Sequence, residues 1–189
     1  MSAVFTPTRT KITVQRFQDM IASGVLRDDE RIELIEGEMI DKAPIGALHA
    51  WMVHRLSELL RMDAAPSADV WMQLPVTLAD SSQPQPDLAL IRGKPDGHGR
   101  QLPREQDILL IIEVSDSTLA YDQGTKQWLY ANYDIPEYWI VDVQEKRNLV
   151  YRGPSSNGYT YKSECAGDEV VSAEECPQVK VELAGLFAD

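Results

Sequence analysis

Two carboxylates and a lysine in the middle of the chain have the types and spacing to do chemistry. Asp87 opens the apolar run "DLALI", and Glu113 stands near the end of "ILLIIEV", where a turn residue would be ordinary. If these runs pair as antiparallel strands with Ile91 opposite Leu109, Asp87 lies opposite Glu113. Directly opposed residues project to one face, about 5 Å apart. Carboxylates that close repel, and one pKa rises unless a cation intervenes. A divalent ion resolves the conflict, and hard oxygen donors favour Mg²⁺ or Mn²⁺. The main-chain carbonyl of Val114 can supply a further ligand. Taken singly, either acid would be an ordinary solvated group at a strand end.

Lys126 lies in the helical stretch that follows and shares a side with Asp122, Leu129 and Tyr133, the side expected to pack inward. A lysine buried there must find a carboxylate. The competing reading is an i,i+4 pair with Asp122, worth a few tenths of a kcal/mol, and spacing does not choose between them. Ser115, the next residue on Glu113's face, cannot supply a positive charge.

Around these groups the chain reads as α/β. Thr13 is the expected N-cap of a helix carrying Val14, Phe17, Met20 and Ile21 at helical spacing, with Gly24 as its stop. "RIELIEGEMI" alternates, breaks at Glu36-Gly37 and resumes, which predicts a hairpin with a tight turn. In "LHAWMVHRLSELL" the stripe Leu48, Met52, Leu56 and Leu59 predicts an amphipathic helix, with His49 at the stripe's edge and His54 pointing away. "DVWMQLPVTL", "DLALI", "ILLIIEV" and "EYWIVDV" read as strands. A helix from about Asp122 to Tyr133 between the last two makes a right-handed crossover joining parallel neighbours. "LVYR", "GYTYKS", "EVV" and "VKVEL" predict short antiparallel strands. No Gly-rich phosphate loop follows a first strand, so a doubly wound nucleotide fold is excluded.

The 189 residues are expected to form a single domain over 1–189, with 43% apolar and 25% charged residues and no linker long enough to divide it. Lys plus Arg number 18 against 30 Asp plus Glu, for a net charge of -12. That field repels nucleic acid and anionic membranes, so a polyanion partner needs a local basic face or a metal ion. The first residues carry no long apolar segment, and no segment reaches the length of a membrane span; a cytoplasmic protein is expected. Cys165 and Cys176 are too far apart for a C-x-x-C motif and read as reduced thiols.

"QPDLALI", "LLIIEVSDSTLAYDQGTK" and "IPEYWIVD", preceded by "IELIEGEMI" and "GALHAWMVHRL", resemble the Uma-type restriction endonuclease family of the PD-(D/E)XK nuclease superfamily. The likeness runs from about Thr13 to "VELAGLF". It implies a restriction-endonuclease-like core: a mixed β-sheet flanked by helices, with antiparallel N- and C-terminal strands. Pro86-Asp87 matches the PD element and Glu113 the (D/E) element. Ser115 departs from the superfamily's lysine, which makes Lys126 the candidate for a lysine migrated to the helix. The implied catalytic set is Asp87, Glu113 and Lys126, with Asp87, Glu113 and Val114 on the metal. Glu33, His49 and Ser115 are secondary candidates.

The activity so implied is metal-dependent hydrolysis of DNA phosphodiester bonds, with a homodimer as the expected assembly. The rival is a nuclease fold kept as a binding module without turnover, which the charge of -12 and the absent lysine beside Glu113 favour. A third reading is a hydrolase of other phosphorylated substrates. Glu36 and Glu38 read as solvated turn acids, and Trp128, Tyr138 and Trp139 as core aromatics. The basic loop with Arg92, Lys94, His98, Arg100 and Arg104 joins the far ends of the two strands, about 15 Å from Asp87 at ~3.3 Å per residue. It is too remote for the chemistry.

Overall fold

Apolar runs long enough to be covered on both sides dominate the centre of the chain, and the sheet they build organises everything else. The structure, a computed structural model, describes residues 8–27, 29–93 and 101–188. Its main sheet contains β3 (Ala68–Met72), β4 (Leu88–Arg92), β5 (Ile108–Ser115), β6 (Glu137–Asp142), β7 (Arg147–Ser155) and β8 (Gly158–Ala166) in that spatial order. All neighbours are antiparallel except β5 and β6, which run parallel. Every residue of β5 and of β6 is buried. This explains why both read as continuous apolar runs and not as alternating ones.

The β5–β6 crossover begins with a short helix, α3 (Leu119–Tyr121). It widens into a π-helical turn, Asp122–Lys126, and ends in α4 (Gln127–Asn132). It packs Leu129 and Tyr130 against Ile111, Ile140 and Leu149 on one face of the sheet. The other face carries Leu90, Leu110, Ile112 and Val141. It is covered by α2 (Ala47–Ala64) and by the pair β9 (Val170–Ser172) and β10 (Lys180–Glu182) with α5 (Leu183–Leu186).

At the other end of the chain, Thr13 caps α1 (Val14–Ala22) by accepting from the Arg16 N–H at 3.3 Å. This helix lays Val14 and Phe17 on Leu34 of the hairpin β1 (Ile32–Ile35) and β2 (Glu38–Asp41). The turn between these strands has positive φ at Glu36 (50°) and Gly37 (77°), the geometry of a two-residue type I′ loop. At Gly37 a Cβ would also fall 2.6 Å from Lys11 Cβ.

Several expectations are corrected. β4 and β5 are antiparallel, but a bulge shifts the register between Leu90 and Ile91: Leu90 faces Leu110, whereas Ile91 faces Ile108 and not Leu109. The surplus Leu109 joins the same cluster as Leu110, as a bulge that suspends the two-residue alternation requires. β3 stops at Met72, because Gln73 turns to φ 49°, and Thr77 and Leu78 form only isolated bridges. In α2 the buried stripe is Met52, Val53, Leu56, Leu60 and Ala64. Leu48 is 46% exposed, because the buried stripe begins one turn later, at Met52. Trp128 is also 46% exposed and not a core aromatic, whereas Tyr138 and Trp139 are buried as expected. Glu36 is not simply solvated: its carboxylate accepts from Tyr133 Oη at 2.6 Å and Ser82 Oγ at 3.3 Å. Both cysteines are free thiols. Of the basic loop, Arg92 and Arg104 are exposed, while Lys94, His98 and Arg100 lie outside the described residues. No helix among the described residues is long and apolar enough to cross a membrane.

Candidate active site

Register carries the two acids together. With Leu88 opposite Ile112, Asp87 falls opposite Glu113 at the sheet end away from the bulge. The main-chain N–H of Asp87 donates to Glu113 Oε2 at 3.3 Å, and the Val114 N–H donates to Asp87 Oδ2 at 2.9 Å. Counting by twos from Ile111 puts Glu113 on the face covered by the crossover helix, which is where Lys126 descends.

Lys126 is 3% exposed. Its Nζ donates to Glu33 Oε2 at 2.8 Å, Glu113 Oε1 at 3.2 Å and Tyr130 Oη at 3.5 Å. The i,i+4 pair with Asp122 is not what holds it, since the Asp122 carboxylate is engaged by Thr118 Oγ1 at 2.6 Å. A π-turn widens the helical circuit, and Asp122 and Lys126 are its two buried residues. Tyr130, one turn further on, donates to Glu113 Oε1 at 2.7 Å. Glu113 is thus clamped on one oxygen by a lysine and a tyrosine.

The hairpin brings Glu33, which is buried and also accepts from the Gln85 N–H at 3.3 Å. From α2, on the opposite side of the sheet, His49 Nε2 reaches Asp87 Oδ2 at 3.0 Å. Its Nδ1 is buried without a hydrogen-bond partner among the described residues. His54 points away, 3.6 Å from Glu58 on the helix surface. Ser115 is buried next to Thr118, with its hydroxyl 3.5 Å from Thr118 Oγ1, and takes no part in the Glu113 clamp.

Burial dominates the electrostatics. It lifts Glu113 to about 7, because Lys126, shared with Glu33, does not outweigh desolvation and the nearby Asp87 and Asp122. Asp87 goes the other way: burial opposes its charge, but His49, the Val114 N–H and Lys42 overcome it and hold the carboxyl below its usual value. His49 is raised above 6.5 by its bond to Asp87, against the effect of burial. Lys126 keeps its proton more firmly than a free lysine, since Glu113 and Glu33 outweigh its desolvation. Burial raises Asp122 as well. The acids in this one place are therefore split into an anionic Asp87 and a readily protonated Glu113, a division common at catalytic sites.

These groups line a pocket of about 230 Å³ that also takes in Lys42, Tyr121 and the segment 43–46. Lys42, Tyr121 and Tyr130 were not singled out in the sequence. Tyr130 carried a usable signal, lying four residues beyond Lys126 on the same helical side, whereas Lys42 sits in an irregular stretch after β2 with no periodicity to read. Among the described residues no three His, Cys, Asp or Glu side chains converge as a metal-binding group. The donor set that does converge is the Asp87–Glu113 pair with the Val114 main chain beside it. One or two carboxylates are what Mg²⁺ ordinarily takes from a protein, water and phosphate oxygens completing its shell, so these residues fit such an ion.

A search among curated proteins gave no match. Among solved structures the chain is similar to one titled "Crystal structure of a putative nuclease belonging to DUF820 from Anabaena variabilis ATCC 29413". The two are 17% identical with a TM-score of 0.74, over 93% of this chain and 97% of that one, a likeness of fold. Residues 14–184 match the Uma2 family, described as "Putative restriction endonuclease", and the chain belongs to that family.

Proposed function

We propose that the protein is a metal-dependent endonuclease that hydrolyses DNA phosphodiester bonds, with Asp87, Glu113 and Lys126 as its catalytic residues. The observation that carries this reading is the position of the Lys126 ammonium, 3.2 Å from Glu113. The charge missing at Ser115 is supplied from the crossover helix. Membership of the Uma2 family supports it.

Asp87, Glu113 and the Val114 main-chain oxygen would hold Mg²⁺ or Mn²⁺, which when bound neutralises phosphate charge and acidifies a coordinated water. The remaining work falls to the chain itself. Lys126 and Tyr130 fix the rotamer of Glu113 through Oε1. His49 and the Val114 N–H fix Asp87 through Oδ2. Glu33 keeps Lys126 charged and pointed inward. Negative charge that develops on the phosphate meets a lysine held in place beforehand, which needs no reorganisation at the moment of reaction. Ser115 has a structural part only, in the Thr118 turn that starts the crossover. A homodimer is part of this proposal, as is a single catalytic domain.

Supercoiled plasmid incubated with Mg²⁺ or Mn²⁺ tests the reading: wild type nicks it and Asp87→Ala does not. Equal behaviour of the two proteins overturns it. The second reading, a binding module without turnover, draws on the net charge of -12 and the lack of a three-ligand cluster among the described residues. It predicts no calorimetric heat from Mn²⁺ at the carboxylate pair, where the endonuclease reading requires it.

A further inference from the structure

Lys126 has no hydrogen bond left to give. An ammonium carries three donors, and Glu33, Glu113 and Tyr130 accept from it. It can neutralise an incoming anion at short range, but it cannot grip one without abandoning a buried partner. The pocket nevertheless holds unspent donors. Lys42 follows β2 directly, is partly buried and lines the same pocket. Its Nζ donates to the main-chain oxygen of Gln85, which leaves two N–H groups uncommitted among the described residues at the pocket wall. Tyr121 enters from a different element, α3, and also lines the pocket. Its hydroxyl is buried with no hydrogen-bond partner among the described residues.

A cation and a neutral hydroxyl with donors to spare, beside a lysine already committed, make the two halves of an oxyanion grip. A buried donor left unmatched is destabilising, so an occupant that accepts from it binds the more tightly. Glu33, Asp87 and Glu113 make the floor of the pocket acidic, so an anion is favoured only where these donors hold it.

We infer that Lys42 and Tyr121 form the substrate-binding side of the pocket, donating to a non-bridging oxygen of a phosphate group while Asp87, Glu113 and Lys126 attend to the reacting centre. This rests on the endonuclease reading for its substrate, a nucleic-acid phosphodiester, and adds the residues that hold it.

The test is the salt dependence of binding of a fluorescein-labelled DNA duplex, measured by anisotropy in Ca²⁺, whose loose coordination suits binding better than turnover. Each phosphate contact made by a cation contributes about 0.9 to the slope of log K against log salt. Lys42→Gln should lower the slope by about that amount and weaken binding about tenfold at low salt, as loss of a charged hydrogen bond requires. Lys42→Arg should keep the slope. Tyr121→Phe should weaken binding several-fold with the slope unchanged, because the lost donor is neutral. The slope does not depend on the folded fraction, so a destabilised variant still reports. An unchanged slope in Lys42→Gln overturns the inference and leaves the endonuclease reading standing. A wild type that neither binds nor nicks DNA overturns that reading. Calorimetric titration with inorganic phosphate then decides the grip alone: phosphate binding that is lost in Lys42→Gln supports it, and its absence in wild type removes it too.

Discussion

Replacing Glu113 by glutamine should make the metal-free protein more stable at alkaline pH while destroying its activity. Glu113 titrates at 4.5 as a free carboxyl and at about 7 in the fold, chiefly because burial disfavours its charge. An acid whose folded pKa is raised contributes no penalty below its unfolded value. The penalty grows as pH rises and is complete above the folded value. At ~1.36 kcal/mol per unit the full penalty is about 3 kcal/mol, of which less than 1 has developed at pH 5. The stability difference between Glu113→Gln and wild type should therefore shift by about 2.5 kcal/mol in favour of the variant between pH 5 and pH 8.

The amide forfeits charge-assisted bonds from Lys126 and Tyr130, worth about 1–2 kcal/mol together after compensation. The variant should thus be the weaker protein at pH 5 and the stronger at pH 8. Urea unfolding at both pH values, in EDTA, measures this directly. A difference that stays constant with pH, or moves the other way, refutes the argument that burial and not the lysine governs this carboxyl.

Lys126→Met should destabilise by about 3–5 kcal/mol at pH 8, since it leaves Glu33 and Glu113 buried without their cation; at pH 5, where Glu113 takes up a proton, the urea midpoint should fall much less. Tyr130→Phe should cost about 0.5–1.5 kcal/mol at pH 5 by the same assay, the range for a hydrogen bond between neutral groups, since Glu113 is protonated there. In EDTA the His49 ring should titrate above 6.5 by NMR. Its contribution to stability should be complete below 6.5 and disappear as pH rises through the folded value, and Asp87→Asn should remove both effects. Saturating Mn²⁺ should raise the melting temperature of wild type and leave that of Asp87→Ala unchanged.

The pairing of Asp87 with Glu113 could be read in advance because strands buried on both faces announce themselves as apolar runs, and an acid at the end of each stands out. His49 was reachable by counting, as a residue at the edge of a buried stripe; Glu33 was not, because alternation sets it on the face opposite Ile32 and Leu34, whereas β1 buries Glu33 and Leu34 alike. What counting at 100° per residue misses is a change of helical pitch. The π-turn over Asp122–Lys126 is such a change, but Trp128 is a different case: it stands about 200° round the helix from Lys126 at 100° per residue, so the count that turns Lys126 inward also puts Trp128 outward, where it is found. Leu48 fails for another reason: the apolar stripe of α2 starts only at Met52, and the first turn meets the sheet end through His49, which reaches Asp87. Lys42 and Tyr121 left no mark in the sequence because their surroundings are assembled from the hairpin, the sheet end and the crossover, which meet only in three dimensions.

The extra leucine between β4 and β5 has an effect on how this architecture tolerates change. Paired strands exchange faces when they slip by a single position, and a slip at Glu113 would send it to the side of the sheet away from Lys126. By absorbing the mismatch at the loop end, Leu109 works as an expansion joint. The ladder from Leu90–Leu110 to Leu88–Ile112 stays aligned whatever the register beyond the bulge, so the loop end of these strands is mechanically isolated from their most exacting spot.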